Sequence, residues 1–472
     1  MAVTRREFVT TLGMLGVAAG MSQSNLAKIT EAFAHGGAWA AGGSFTSKPK
    51  VIWVHGAECT GCSTSLLSLY EDAAGVAVPG ATADKNISTA AALGILTGST
   101  LTDPVAQLSD TAVAGHPYGH RTLATTGLNV DKSAYAVNIA DVLIDFIDLQ
   151  YHETVMGMGG DQAYRYLNAA MHANDAVPYV LVVEGAVQDK LNKGYWNKSG
   201  AASWCSIAMD GTAGEETELS FDDVVAHLAA RADCKAVIAI GQCASYGGYP
   251  ACIGPDLVAH AGVTTKSQTG AQGVADFLKS RGLVEGATAL QQGASAKVIN
   301  VPGCPVNPWW FTLTVVAWLV DAVCQTSATP SAPLGLLNHD LSLTGAGVDT
   351  QGRLTAVYGD LLHGKYCPRY KYYVQRQFAT KPGELGCMQN IGCKGQSTMS
   401  SCGRHGWNNA QPQNEAMNLA AVGTSLAQLA PLHELADNSH DTMGGCCLTA
   451  GAPCMGCTEK GYPDAFTPFV VR

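Results

Sequence analysis

Val51-Ile52-Trp53-Val54-His55-Gly56-Ala57-Glu58-Cys59-Thr60-Gly61-Cys62 decides the fold. Val51–His55 is an apolar run without polar alternation, the pattern of a strand buried on both faces of a parallel sheet. Gly56 ends it, and two cysteines follow. Three further runs have the same form: Tyr179–Glu184, Ala236–Gly241 and Lys297–Val301. Each stops in a glycine-containing loop, at Glu184-Gly185, Gly241-Gln242 and Pro302-Gly303. Helix-like stretches such as Asp222–Arg231 and Ala271–Lys279 separate them. Strands alternating with helices predict an α/β doubly wound parallel sheet, which binds ligands beyond the carboxyl ends of its strands. Three of the four loops deliver cysteine there.

Around this frame the chain is 472 residues long, 47% hydrophobic and only 14% charged, enough for two or three domains with real cores. So little charge suggests a surface covered by a partner, although a large core lowers it too. The net charge of −10 and the lack of a Lys/Arg cluster argue against a nucleic-acid partner. Thr4-Arg5-Arg6-Glu7-Phe8, an apolar stretch to Met21 and small residues at Ala32-Phe33-Ala34 predict a twin-arginine signal peptide over 1–34, and hence an exported, periplasmic protein. The longest later apolar run, Trp309–Val320, is too short to span a bilayer, so no membrane anchor of its own is expected after cleavage. The Ala/Thr/Gly/Ser-rich stretch 78–136 reads as a surface insertion. From about Ser331 strand-like runs give way to Cys, Gly and Pro, so the organisation expected is a sheet domain over 46–330 and a second domain over 331–472 that relies on an inorganic core.

Sixteen cysteines in a chain this long point to ligands rather than a disulfide framework. One set is Cys59, Cys62, Cys243 and Cys304, brought by three strand-end loops; a four-iron cluster is the favoured ligand, a redox disulfide or a zinc site the alternatives. A second is His363, Cys367, Cys387 and Cys393, with His363 and Cys367 one helical turn apart; it suits zinc or a four-iron cluster. A third is Cys402, Cys454, Cys457 and one of the adjacent Cys446 and Cys447, three thiolates sufficing for three irons and a fourth allowing four. Cys205, Cys234, Cys252 and Cys324 read as buried free thiols.

Several segments resemble nickel–iron hydrogenase small subunits. They are His55 to Cys62, Asp148-Leu149-Gln150-Tyr151-His152-Glu153-Thr154, Val183-Glu184-Gly185, Gly386-Cys387 through Gly392-Cys393-Lys394-Gly395 to Cys402 and Trp407-Asn408, and Ala450 to Cys457. The resemblance implies a flavodoxin-like domain followed by a mostly irregular or helical iron–sulfur domain. It implies an oxidoreductase subunit that relays electrons between the nickel–iron site of a large subunit, where hydrogen is split, and an acceptor such as a c-type or membrane cytochrome. A dimer of heterodimers is compatible with it. It also maps a proximal cluster to Cys59, Cys62, Cys243 and Cys304, a distal one to His363, Cys367, Cys387 and Cys393, and a medial one to Cys402, Cys454 and Cys457.

Three departures from the family pattern stand out. Many members carry proline where Cys447 aligns, so Cys447 suggests a four-iron rather than three-iron medial cluster, with Cys446 the competing ligand. Three residues rather than two separate His363 from Cys367. Gly61 and Gly248 stand where oxygen-tolerant members carry extra cysteines. No residue is assigned as a catalytic acid or base; for Glu58 a solvated loop carboxylate is the plainer expectation than a place in a proton route. The rival readings are a zinc-stapled binding scaffold and the iron–sulfur subunit of another oxidoreductase, such as a quinone-reductase-like module.

Overall fold

The computed structural model describes residues 50–67, 148–172, 179–191, 203–210, 217–231, 233–253, 270–283, 298–308, 310–311, 314–315, 348–405 and 446–470. The signal peptide, the 78–136 insertion, the 330/331 boundary, most of Trp309–Val320, Cys324 and Trp407-Asn408 lie outside them.

The apolar runs become strands because only a sheet covered on both faces satisfies them. β1 (Lys50–His55), β3 (Tyr179–Glu184) and β5 (Val298–Val301) are buried along all or nearly all of their length. A strand at Cys234–Ile240 is buried except at Lys235; this is β4. The fifth member, β2 (Asp148–His152), lies at the edge and buries only Tyr151 and His152. All pair in parallel, in the order β2-β1-β3-β4-β5. The register sets His55, Glu184, Ile240 and Val301 in one row, so the cysteine-bearing loops leave the sheet at one level.

One face of the sheet, with Ile52, Val54, Leu181, Val183 and Val237, packs on helices α2 (Gly160–His172), α3 (Phe221–Ala230) and α5 (Val274–Ser280). In α2 the buried residues Ala163, Leu167 and Met171 recur every four positions, one stripe of an amphipathic helix. The alternate residue Trp53 faces the other side and meets Phe311 at 5.3 Å between ring centroids. Helix α1 (Gly61–Leu67) follows β1, and α4 (Gly241–Tyr246) follows β4 directly.

The sequence places a helix from Ala271, but Ala271–Gln272 instead pairs antiparallel with Val187–Gln188, and α5 begins after Gly273. A Cβ at Gly273 would stand 2.4 Å from the Ser245 carbonyl oxygen, so the chain passes α4 too closely to continue a helix through this point.

Beyond Val348 regular structure is sparse. There is a π-helical turn at Leu362–Tyr366, helix α6 (Tyr370–Val374) and a single turn, α7 (Cys402–His405). Leu362, Met388, Ile391 and Leu448 pack with Cys367, Cys446 and Cys454 in one small core, so thiols make up much of what this part buries. Buried arginines replace missing secondary structure. Arg369 donates to the carbonyls of Leu448, Glu384 and Gly386 at 2.7–2.8 Å. Arg353 bridges Asp349 at 2.7 Å and Glu459 at 3.0 Å, and Gln242 of α4 donates to the Glu459 carbonyl at 2.9 Å. The arginine bonds hold the C-terminal part together, and the Gln242 bond ties it to the helix that follows β4. No helix among the described residues is long and apolar enough to cross a membrane.

Arg353→Met leaves two acids without their partner in a buried setting, a loss that costs about 3–5 kcal/mol. The expected result is a correspondingly lower urea midpoint for the purified protein; an unchanged midpoint contradicts the bridging role.

Candidate metal centres

The row of strand ends fixes the first thiol set. From β1 the chain turns through Thr60, at φ +58°, into α1, bringing Cys59 and Cys62 back over the sheet. Cys243 lies in the first turn of α4 and Cys304 follows β5. Burial, then the Glu184 carboxylate, pushes the Cys62 thiol well up, and Cys243 and Cys304 add to it. Burial holds Cys243 up at about 12 and Cys304 at about 11, each also feeling Cys59. Amides point at the sulfurs: Val306 donates to Cys62 Sγ at 3.5 Å, and Tyr249 to Cys243. The backbone is fitted to sulfur as well. A Cβ on Gly241, at φ +85°, would lie 2.4 Å from Cys62 Sγ. One on Gly61 or Gly248 would lie 2.9 Å from Cys59 Sγ or Cys243 Sγ, so both of these glycines face the set.

Burial alone keeps Cys62, Cys243 and Cys304 protonated, yet amides are aimed at Cys62 and Cys243, an arrangement that serves negatively charged sulfur. It suits thiolates whose charge an inorganic cation core offsets, because coordination deprotonates the thiol outright.

Beneath this set lies a polar network that spacing did not reveal. Glu184, at the end of β3, is 1% exposed. It accepts from Trp53 Nε1 at 3.1 Å, the amides of Cys62 and Ser63 at 3.1 and 3.0 Å, and Ser63 Oγ at 2.5 Å. Ser63 Oγ also meets His152 Nε2 at 3.2 Å. Glu58 corrects an expectation. Rather than a solvated loop carboxylate it is a 10% exposed side chain folded back against the strand end, 3.2 Å from His55 Nδ1 and bonded to Thr60. Burial opposes charging His55, but the Glu58 hydrogen bond and the fields of Glu184 and Glu153 outweigh it, and the imidazole stands above its ordinary value. His152, buried beside His55, is pushed down to about 3. The available signal was Glu184 and His55 closing apolar runs, where a charged residue must find a buried partner.

The second set gathers at the π-turn. Cys367 follows it, and the amides of Arg369 and Gln389 donate to Cys367 and Cys387. Cys393 accepts amides from Gly395 and Cys454. The extra residue between His363 and Cys367 is absorbed by the wider turn, not by a regular α-helical one. The His363 ring stands edge-on to Tyr370 and Tyr373, with centroids at 5.2 and 4.5 Å. Its Nε2 is buried and has no hydrogen-bond partner among the described residues, a nitrogen available to a ligand.

In the third set Cys402 donates a hydrogen bond to Cys446, Cys454 is felt by Cys402 and feels Cys457, and Cys457 lies beside Cys447. The three sets adjoin. The amide of Cys304 donates to Cys457 Sγ and the amide of Cys454 to Cys393 Sγ. No disulfide joins any of the fifteen cysteines among the described residues. Of the thiols without an assigned role, Cys234 is buried, but Cys205, which packs against the edge of the core, and Cys252, which ends a short helix, are only partly so.

Residues 126–318 match the family model "NADH ubiquinone oxidoreductase, 20 Kd subunit". Residues 358–427 match the family model for the C-terminal part of NiFe/NiFeSe hydrogenase small subunits. The chain is 26% identical over 474 residues to the periplasmic [NiFeSe] hydrogenase small subunit of Desulfomicrobium baculatum, covering 100% of this chain and 99% of that one. It is 25% identical to the periplasmic [NiFe] hydrogenase small subunit 1 of Nitratidesulfovibrio vulgaris, covering 99% and 93%. The structure of the D. baculatum [NiFeSe] hydrogenase superposes with a TM-score of 0.53 at 23% identity, over 90% of this chain and 99% of that chain. Over nearly its whole length the chain is homologous to nickel–iron hydrogenase small subunits, which are oxidoreductases of heteromeric enzymes. These homologues imply iron–sulfur clusters and a large-subunit partner.

Gly241→Ala drives a methyl group into Cys62 Sγ. The purified complex is expected to lose about four irons, one cubane's worth, as measured by metal analysis; full iron content contradicts the close fit.

Proposed function

We propose that this chain is the electron-relaying small subunit of an exported nickel–iron hydrogenase, with a flavodoxin-like domain over 46–330 and a cluster domain over 331–472. The strand order, 2-1-3-4-5 in chain numbering, supports the first assignment. Cys59, Cys62, Cys243 and Cys304 hold the proximal cluster. Cys402, Cys454, Cys457 and Cys447 hold the medial one. His363, Cys367, Cys387 and Cys393 hold the distal one. When bound, the clusters supply one-electron stations between the large subunit's nickel–iron site and an external acceptor.

The observation that carries this reading is the chain of contacts between the sets. An amide from one set donates to a sulfur of another at both junctions, Cys304 to Cys457 and Cys454 to Cys393. Gly395 keeps the second junction narrow; a Cβ there would lie 3.5 Å from Cys393 Sγ and 3.9 Å from Cys454 Cβ. The amides also tune: donation to sulfur stabilises its negative charge and raises the potential of what it ligates. His363 closes the line with a neutral nitrogen in place of a thiolate, which acts in the same direction. Two periplasmic relatives support export, and the Arg5-Arg6 segment gives its route as the twin-arginine one. A c-type or membrane cytochrome is the acceptor this location suits. The quinone-oxidoreductase match describes only the shared sheet domain, and the C-terminal match favours the hydrogenase assignment over that rival.

Metal and sulfide analysis of the purified complex, with electron paramagnetic resonance, tests the proposal. About twelve small-subunit irons with matching acid-labile sulfide are expected for three cubanes. Zinc in place of iron, or no labile sulfide, overturns it.

A further inference from the structure

The third set contains one thiol too many. A four-iron cluster takes four protein ligands, yet Cys402, Cys446, Cys447, Cys457 and Cys454 form a closed run of neighbours. Adjacent cysteines are usually redundant for geometric reasons, since neighbouring side chains leave the backbone in different directions. Here each meets a different member of the third set, and both also neighbour the second set, Cys446 at Cys367 and Cys393 and Cys447 at Cys393. Cys446 and Cys447 open the turn that runs to Ala452, closed by the Ala450 amide on the Cys446 carbonyl at 2.9 Å and the Ala452 amide on the Cys447 carbonyl at 2.8 Å. From this turn Cys446 reaches Cys402, whose thiol it bonds, while Cys447 comes beside Cys457. Cys454 interacts with the members on either side, Cys402 and Cys457.

Cys446 is also dressed as a ligand. It is 4% exposed, and its sulfur accepts the amides of Thr449 and Leu448. Thr449 Oγ1 accepts the Cys446 amide at 2.7 Å and lies 3.9 Å from Cys446 Sγ. A stray buried thiol has no need of three polar neighbours around sulfur, whereas a coordinated thiolate does.

We infer that Cys446 and Cys447 are interchangeable ligands for one corner of the medial cluster, so that either thiol alone completes a four-iron site. Binding of the chosen thiol releases its proton, and the other remains a protonated neighbour. The inference rests on the iron–sulfur reading above. It differs from it in claiming a role for Cys446 and in making neither adjacent cysteine indispensable.

The test uses the complete complex carrying Cys446→Ala, Cys447→Pro, or both changes. Cys447→Ala serves as a second form of the middle variant should proline disturb the turn. The readouts are iron per complex and the paramagnetic signal of an oxidised three-iron cluster. Each single variant is expected to keep about twelve small-subunit irons and show no three-iron signal. The double variant is expected to lose one iron and to show that signal at about one spin per complex. A full three-iron signal from Cys447→Pro and Cys447→Ala assigns the corner to Cys447 alone, and one from Cys446→Ala assigns it to Cys446 alone; either overturns the exchange. A double variant that keeps all its irons overturns the ligand role of both. Each of these failures leaves the iron–sulfur reading standing, whereas zinc or absent sulfide in the unmodified complex removes that reading and this inference together.

Discussion

A single buried carboxylate sets the position of the first cysteine pair. Glu184 ends the central strand with almost no solvent contact, and its two oxygens satisfy two amides of α1, the Ser63 hydroxyl and the Trp53 indole. Burying a carboxylate is costly unless every lone pair is used. Here the bonds that lower this cost are the ones that orient Cys62. Moving α1 away from the sheet strands the carboxylate, so the loop geometry and the solvation of Glu184 stand or fall together.

The same economy recurs farther along. The C-terminal part has little repetitive structure, and buried arginines take the place of a ladder by gathering carbonyls, Arg369 those of Leu448 and Gly386 and Arg353 that of Thr458. Thiols share the small core with aliphatic side chains. A segment so assembled has few contacts that survive loss of its sulfur-bound content, whereas the sheet domain has a large conventional core of its own.

Legibility in the sequence followed burial. β1, β3, β4 and β5 were readable because a strand covered on both faces must be apolar throughout. β2 was not, because Asp148, Leu149 and Gln150 at an edge are only half-buried and carry no run. The nearness of Cys59, Cys62, Cys243 and Cys304 was readable from one CxxC pair and strand-end position. What spacing concealed was direction. Cys446 and Cys447 differ by one residue yet meet different neighbours, and Glu58 looked exposed until the strand end curled over it. The Glu184, His55 and His152 network was invisible for a related reason: its members come from three separate strands and meet only once the sheet has formed.

The π-helical turn at Leu362–Tyr366 bears on how this region tolerates insertion. A helix that widens by one residue stores the added length as girth instead of passing it down the chain. Here the turn joins His363, set against its two tyrosines, to Cys367 in the sulfur-rich core. Counting residues between two such landmarks therefore measures the contour of the path. The quantity held constant is the pair of end points, and chains of unequal length can share it.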